Sequence, residues 1–221
     1  MINLPSVDKM YEFENNYMLT TKPNRIGKLL VQFDLLKKTI LIPGDIIEFG
    51  VFKGASFSRL AIFRNLLGAE NSKKLIGFDI FGQFPDAITE EDKIQKKNFT
   101  DLAGDESISR EQLLEVLKNN SCDKHVALIP GDICESVPKY LNENPATKLS
   151  FINLDVDLVN VTSVILENCY MRLSVGGVIM FDDYGFFAGA TNIIDEFCSM
   201  HNLKLRTSLF SKSPVYIIKE K

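Results

Sequence analysis

The chain has 221 residues and 45% of them are hydrophobic, which is too apolar for a disordered protein and sufficient for one domain with a substantial core. Its formal net charge of −4 offers no basic excess that would attract nucleic acid, and no apolar run approaches the ~18 residues of a membrane-spanning helix. The first eight residues lack the features of a signal peptide, so we expect a cytoplasmic protein with no nucleic-acid or membrane partner.

An amphipathic helix is the first predicted element, over residues 24–41. It precedes the regular pattern of the remaining chain and could pack over a sheet or against a partner chain. We therefore divide the chain into residues 1–44, an N-terminal helical cover or interface segment, and residues 45–221, one α/β domain. The same helix leads us to expect a homodimer or a higher homo-oligomer.

From residue 45 onward, short apolar strands alternate with helical patterns, as in a doubly wound α/β fold. Five strands are predicted, over residues 45–49, 74–79, 126–129, 149–154 and 177–181. Helices are predicted after residue 132 and over residues 55–67, 109–119, 162–173 and 190–200. Residues 203–207 and 214–218 are predicted to close the sheet as an antiparallel pair. This indicates a Rossmann-like, seven-stranded, mostly parallel sheet with an antiparallel C-terminal strand.

The irregular stretch of about residues 80–105 contains charges, glycines and a proline, and we interpret it as a lid inserted into this domain. The four cysteines have no C-x-x-C spacing, which disfavours a structural zinc site. A disulfide framework does not suit a chain of this size, so free thiols are expected.

Carboxylates mark the ends of all five predicted parallel strands. Ligands of such sheets gather beyond the carboxyl ends of the strands. The dinucleotide motif G-x-G-x-x-G is not matched, because Phe52 and Ala55 stand at its second and third glycine positions when Gly50 is the first. Phe52 would block a pyrophosphate, which disfavours an NAD or FAD enzyme.

S-adenosylmethionine has no phosphate, and its groups match the acids present. Glu48, two residues before the turn at Gly50, can hold the ammonium group directly or through water. Asp79 can accept hydrogen bonds from both ribose hydroxyls, and Asp132 can reach the adenine amino group. Ser56, in the helix that follows the turn, is also predicted to bind the cofactor. The alternative is that these acids only cap the following helices.

Four aspartates are predicted to gather at two neighbouring strand ends. Asp155 and Asp157 share one face of an extended segment because side chains alternate with period two, and Asp182 and Asp183 end the next strand. So much negative charge is unfavourable without a cation, and oxygen ligands favour magnesium, calcium or manganese. The alternative is an acidic cleft without a metal. A metal would lower the cost of ionising a hydroxyl nucleophile, and a nearby carboxylate could take its proton.

Four segments of the chain resemble the macrocin O-methyltransferase family: IPGDIIEFGVFKG (residues 42–54), FDIFGQFP (78–85), LDVDL (154–158) and GGVIMFDDYG (176–185). The resemblance implies a metal-dependent enzyme, using Mg²⁺ or Mn²⁺, that methylates a hydroxyl of a sugar or sugar-containing molecule with S-adenosylmethionine. It further implies Asp155, Asp182 and Asp183 as metal ligands, with Asp155 beside the cofactor, and Asp157 as the catalytic base.

The chain departs from the family pattern at positions that bear on the acceptor. Val159 replaces an aromatic residue, and Phe52 and Lys53 replace a Trp-Arg pair. The sequence therefore does not specify the acceptor, which could be a free, a nucleotide-linked or a lipid-linked sugar. Two alternative functions remain: a catechol-type small-molecule O-methyltransferase, and a catalytically silent relative that binds the cofactor.

Overall fold

The N-terminal part of the chain is helical. The structure is a computed structural model that describes residues 2–83, 101, 104–156 and 158–221. A short 3₁₀ helix, Val7–Lys9, leads into α1, Met10–Thr20, and α2 follows at Pro23–Thr39. Pro23 occupies the first turn of α2, where a missing backbone N–H leaves no intrahelical hydrogen bond unmade.

Strands and helices then alternate to the end of the chain. The strands are β1 (Asp45–Phe49), β2 (Leu75–Asp79), β3 (Val126–Pro130), β4 (Leu149–Leu154), β5 (Leu173–Phe181) and β6 (Val215–Ile218). The helices are α3 (Ala55–Leu66), α4 (Arg110–Asn119), α5 (Ile133–Glu143), α6 (Val159–Cys169) and α7 (Ala188–Met200). A 3₁₀ turn, Tyr170–Arg172, joins α6 to β5.

The strands form one sheet in the order β3-β2-β1-β4-β5-β6. All neighbouring strands are parallel except β6, which runs antiparallel to β5. The chain reverses its direction of winding between β1 and β4, and the crevice of a doubly wound fold opens at such a switch point. The predicted Rossmann-like architecture is confirmed.

The predicted strand count of seven is wrong for the described part of the chain, which forms six strands. Residues 203–207 contribute a single bridge, in which Arg206 and Tyr216 exchange two backbone hydrogen bonds of 2.8 and 2.9 Å. β6 uses its other edge to pair with β5 over four residues. Leu203 and Leu205 face the core without extending the ladder, so their alternation reflects burial and not a full strand.

Two helical layers cover the sheet. Alternate residues of each strand face opposite layers, so Ile47 and Phe49 of β1 pack with α5, α6 and α7, whereas Ile46 packs with α2, α3 and α4. Glu48 shares the side of Ile46. The second layer is the one that reaches the functional site.

Helix α2 belongs to the fold as a layer over the sheet. Its Val31, Leu35 and Leu36 are buried, and it packs against α3, β4 and β5. Helix α1, in contrast, has no buried residue. The predicted lid lies largely outside the described residues. None of the described helices is both long and apolar enough to span a membrane.

Candidate functional site

Three of the four predicted aspartates meet at the carboxyl ends of β4 and β5. Asp155 follows β4, and Asp182 and Asp183 follow β5; the two strands pair in register through Leu154 and Phe181. One carboxylate oxygen from each aspartate lies within 4.8 Å of the others. Asp157, the predicted base, lies outside the described residues.

The concentration of carboxylates changes the acidity of Asp155. Burial raises its pKa well above the ordinary value, and repulsion by Asp182 raises it further, whereas Lys28 opposes both effects. Asp182 also has a buried Oδ1 with no hydrogen-bond partner in the described structure. Such an atom is costly unless it binds something. The donor set of three carboxylates and this unpartnered oxygen fit a hard divalent cation such as Mg²⁺ or Mn²⁺.

Lys28 of α2 is a member of the site that the sequence reasoning missed. Its Nζ donates to Asp155 Oδ2 at 3.3 Å and to Asp182 Oδ2 at 2.5 Å. Burial alone lowers the pKa of Lys28, but the two carboxylates outweigh it and the net shift is upward. The available signal was the pair of polar residues, Lys28 and Gln32, one turn apart on the side of α2 that also buries Val31 and Leu35.

Glu48 lies at the floor of the crevice and is completely buried. Asn153, its partner in the register of β1 and β4, donates from Nδ2 to Glu48 Oε1 at 2.6 Å. Burial raises the pKa of Glu48 to about 7, against the opposing effect of hydrogen bonds from Ser56 and Asn153. Glu48 Oε2 has no hydrogen-bond partner within the described ranges. Glu48 is therefore a buried carboxyl group with one oxygen that lacks a hydrogen-bond partner among the described residues.

Ser56 connects Glu48 to the helices above the sheet. Its Oγ lies 3.3 Å from Asn153 Nδ2 and accepts a 2.7 Å hydrogen bond from Gln32 Nε2. Arg59 Nε in turn donates to Gln32 Oε1 at 2.9 Å. This buried chain of hydrogen bonds ties α2 and α3 to the strand ends. Ser56 is thus close to the predicted cofactor site, but its hydroxyl is already engaged.

Asp79, at the end of β2, braces two loops rather than capping a helix. Its Oδ2 accepts from Phe52 N and its Oδ1 accepts from Phe81 N, both at 2.8 Å. Both donors adopt positive φ angles, 47° and 54°, which are unusual for bulky residues. Backbone strain of this kind persists where the surroundings impose it and is concentrated at functional sites. Asp79 therefore shapes the rim of the crevice.

Asp132 is exposed and matches the capping alternative. It is the N-cap of α5, and its Oδ1 accepts from Cys134 N at 2.8 Å. The backbone cap uses one carboxylate oxygen, and the Cys134 side chain also interacts with this carboxylate. Asp132 follows β3 and so lies at the same sheet edge as Asp79, because Asp79 pairs with Pro130.

Gly50 allows β1 and β4 to approach each other closely where the crevice begins. Its φ is +85°, and a Cβ at this position would lie 1.8 Å from the carbonyl oxygen of Asp155. The backbone of Asp155 donates from N to Phe49 O at 3.0 Å on the same side. A side chain at position 50 would therefore displace the peptide that positions Asp155.

We predict that Gly50→Ala destabilises the protein much more than Gly68→Ala. Gly68 also has a positive φ, +68°, but a Cβ there meets nothing within 4 Å. Gly68→Ala should cost about 1–2 kcal/mol, the penalty of the left-handed conformation. Gly50→Ala adds a backbone overlap and should cost more than about 3 kcal/mol. Urea unfolding of the two variants checks this; equal losses would contradict the close approach at Gly50.

Known proteins are similar to this chain in sequence and in fold. A model of the family described as macrocin-O-methyltransferase (TylF) matches residues 23–217. The demethyldecarbamoylnovobiocin O-methyltransferase of Streptomyces niveus is 25% identical over 184 residues, which cover 79% of this chain and 66% of that protein. The 8-demethyl-8-(2,3-dimethoxy-alpha-L-rhamnosyl)-tetracenomycin-C 4'-O-methyltransferase of Streptomyces olivaceus is 30% identical over 157 residues, 66% of this chain and 55% of that protein.

A solved structure, that of the calicheamicin methyltransferase CalS11, is also similar. It superposes with a TM-score of 0.78 at 26% identity, covering 96% of this chain and 86% of that one. The chain spans less than two thirds of the length of the two curated relatives, 66% and 55%. The family model nevertheless runs from the first residue of α2 to within one residue of the end of β6. The chain therefore belongs to the macrocin-O-methyltransferase family.

Proposed function

We propose that this protein transfers a methyl group from S-adenosylmethionine to a hydroxyl of a sugar or sugar-containing small molecule, with the help of a divalent cation. The observation that carries the proposal is the convergence of Asp155, Asp182 and Asp183 beside the crevice between β1 and β4. Family membership supports the reaction type. The two curated relatives are named as O-methyltransferases, and the name of the tetracenomycin enzyme includes a rhamnosyl group.

The cofactor is proposed to lie across the ends of β1, β2 and β3. Asp79 would accept from the ribose hydroxyls with the lone pairs that its backbone donors leave available. Glu48 would attract the ammonium group through its unpartnered Oε2, directly or through water. Asp132 would reach the adenine amino group with its second oxygen, and Gly50 would keep the turn open.

The acidic cluster is proposed to serve the acceptor hydroxyl. A divalent cation supplies positive charge that stabilises a developing oxyanion. Asp155, Asp182 and Asp183 would hold that cation, with Asp155 also adjoining the cofactor. Asp157, which follows Asp155 by two residues, would take the proton of the hydroxyl. The chain must also hold the acceptor oxygen in line with the methyl group and exclude water from it.

The acceptor is proposed to enter beside the residues that follow β5. Phe186, three residues after Asp183, is 74% exposed and offers an aromatic surface to a sugar ring. One solved neighbour, CalS11, is described as a TDP-rhamnose 3'-O-methyltransferase. A nucleotide-linked deoxysugar is therefore a suitable first acceptor for activity measurements.

We further propose a cytoplasmic homodimer or higher homo-oligomer. The support is the N-terminal segment, where α1 buries none of its residues and displays large apolar side chains: Met10, Tyr11, Tyr17, Met18 and Leu19. Because the inner face of α2 is buried against the sheet, we assign the interface to α1.

Binding of S-adenosylhomocysteine tests the cofactor proposal. We expect calorimetry to show one site per chain, and Asp79→Ala to weaken binding by at least about tenfold, because a buried acceptor of the ribose hydroxyls is lost. Asp123→Ala is the matched control. Asp123 is exposed in the loop before β3, at the amino ends of the strands and away from the proposed site. Tight NAD binding without binding of S-adenosylhomocysteine would overturn the proposal.

A further inference from the structure

We infer that Lys28 is the internal counter-ion of the acidic cluster, and that a divalent cation must displace its ammonium group in order to bind. The inference rests on the proposed metal site and adds a residue from the N-terminal helical segment to it. With all three carboxyl groups ionised, the ammonium group changes the net charge of the cluster from −3 to −2. Lys28 thus stabilises the metal-free protein at the expense of metal affinity.

The distances place the ammonium group between two of the proposed metal ligands. Lys28 Nζ is 2.5 Å from Asp182 Oδ2 and 3.3 Å from Asp155 Oδ2, so it bridges the two carboxylates. A magnesium ion bound to the same two oxygens lies about 2.1 Å from each. Both cations would then share two ligand atoms, and their mutual repulsion is weakly screened in a partly buried site.

Displacement of Lys28 has a consequence for α2. The C-terminal half of this helix is fixed by buried Leu35 and Leu36, and Gln32 is fixed by its hydrogen bond to Ser56. The first turn is less well held, because Pro23, Asn24 and Arg25 are exposed. Lys28 therefore ties the start of α2 to the strand ends, and its release would loosen that start.

A different role for Lys28 gives the opposite expectation. If its ammonium group oriented the two carboxylates while the metal used other oxygens, Lys28 would stay in place and its removal would weaken metal binding. Outer partners of metal ligands typically contribute about 10–100-fold to affinity in that way. The sign of the change in affinity therefore separates the two roles.

The test compares Lys28→Met with Lys38→Met. Both variants lose one positive charge from α2, but Lys38 is exposed and pairs with Asp34 on the same helix at 2.7 Å. We expect Lys28→Met to bind Mn²⁺ at least about tenfold more tightly than wild type in calorimetry, because a nearby positive charge is gone. Lys38→Met should stay within about twofold of wild type. Unchanged or weaker Mn²⁺ binding by folded Lys28→Met would overturn the inference.

Hydrogen exchange of the wild-type protein gives a second readout that does not depend on folding of the variant. Addition of Mn²⁺ should accelerate exchange of amides near the start of α2, around residues 26–29, while amides near Leu35 stay protected. Unchanged or slower exchange at the start of α2 with Mn²⁺ bound would count against displacement. If neither wild type nor Lys28→Met binds Mn²⁺, the metal proposal itself fails along with the inference. Equal Mn²⁺ affinity of wild type and Lys28→Met would contradict only the role of Lys28.

Discussion

Replacement of Asp182 or Asp183 by asparagine should reduce divalent-cation binding by at least about 100-fold, because each change removes a formal charge from the ligand set while keeping its shape. Methyl transfer should fall with it, and a chelator should have the same effect on wild type. Binding of S-adenosylhomocysteine should survive, since the proposed cofactor contacts lie mainly on β1, β2 and β3. Mn²⁺ and S-adenosylhomocysteine titrations of the same preparations separate the two properties.

Asp195→Asn is the matched control for these variants. Asp195 lies in α7, where its Oδ1 accepts from Tyr184 OH at 2.9 Å, and it does not belong to the acidic cluster. This variant should bind Mn²⁺ as wild type does. If methyl transfer proceeds undiminished in chelator, the acidic cluster requires an explanation without a metal.

The meeting of Asp155, Asp182 and Asp183 was predictable because it follows from local rules. Asp155 and Asp182 come directly after apolar strands, Asp183 follows Asp182, and parallel neighbours bring their carboxyl ends to one edge of the sheet. The register of β4 and β5 then determines which aspartates lie side by side, since Leu154 pairs with Phe181. The structure confirms this proximity, while the metal-binding roles remain predictions.

The sequence does not predict in the same way which part of the site Lys28 and Gln32 contact. The pattern of α2 predicts which side is buried, but not which strand end that side reaches. The contact between Lys28 and Asp182 spans 154 residues of sequence, and only the packed fold specifies it. Asp132 shows a related limit: an acid before a helix has the same sequence pattern whether it caps the helix, binds a ligand or does both.

At the C-terminal end, one strand prediction is confirmed and one is wrong, and both results have the same physical origin. β6 was predicted from its apolar residues, and its pairing with β5 confirms it. The segment before it has the same alternation at Leu203 and Leu205, but alternation reports burial and not backbone pairing. Arg206 makes the one bridge that remains of the predicted seventh strand.

The largest expected effect on turnover comes from Asp157→Asn. The acceptor hydroxyl must lose its proton as the oxygen attacks the methyl carbon, and an asparagine cannot accept that proton. Loss of a general base typically lowers the rate by about 10²–10⁴-fold. Rates at saturating S-adenosylmethionine, with a nucleotide-linked deoxysugar as first acceptor, measure the change.

The ligand affinities of the Asp157→Asn variant distinguish a role as base from a structural or metal-binding role. Asp157→Asn should retain the Mn²⁺ and S-adenosylhomocysteine affinities of wild type, because the cation is assigned to Asp155, Asp182 and Asp183. Asp123→Asn, at the exposed loop before β3, should retain the rate as well. A large loss of Mn²⁺ affinity in Asp157→Asn would make Asp157 a ligand. An undiminished rate would leave the proton to another acceptor, since the reaction still requires one.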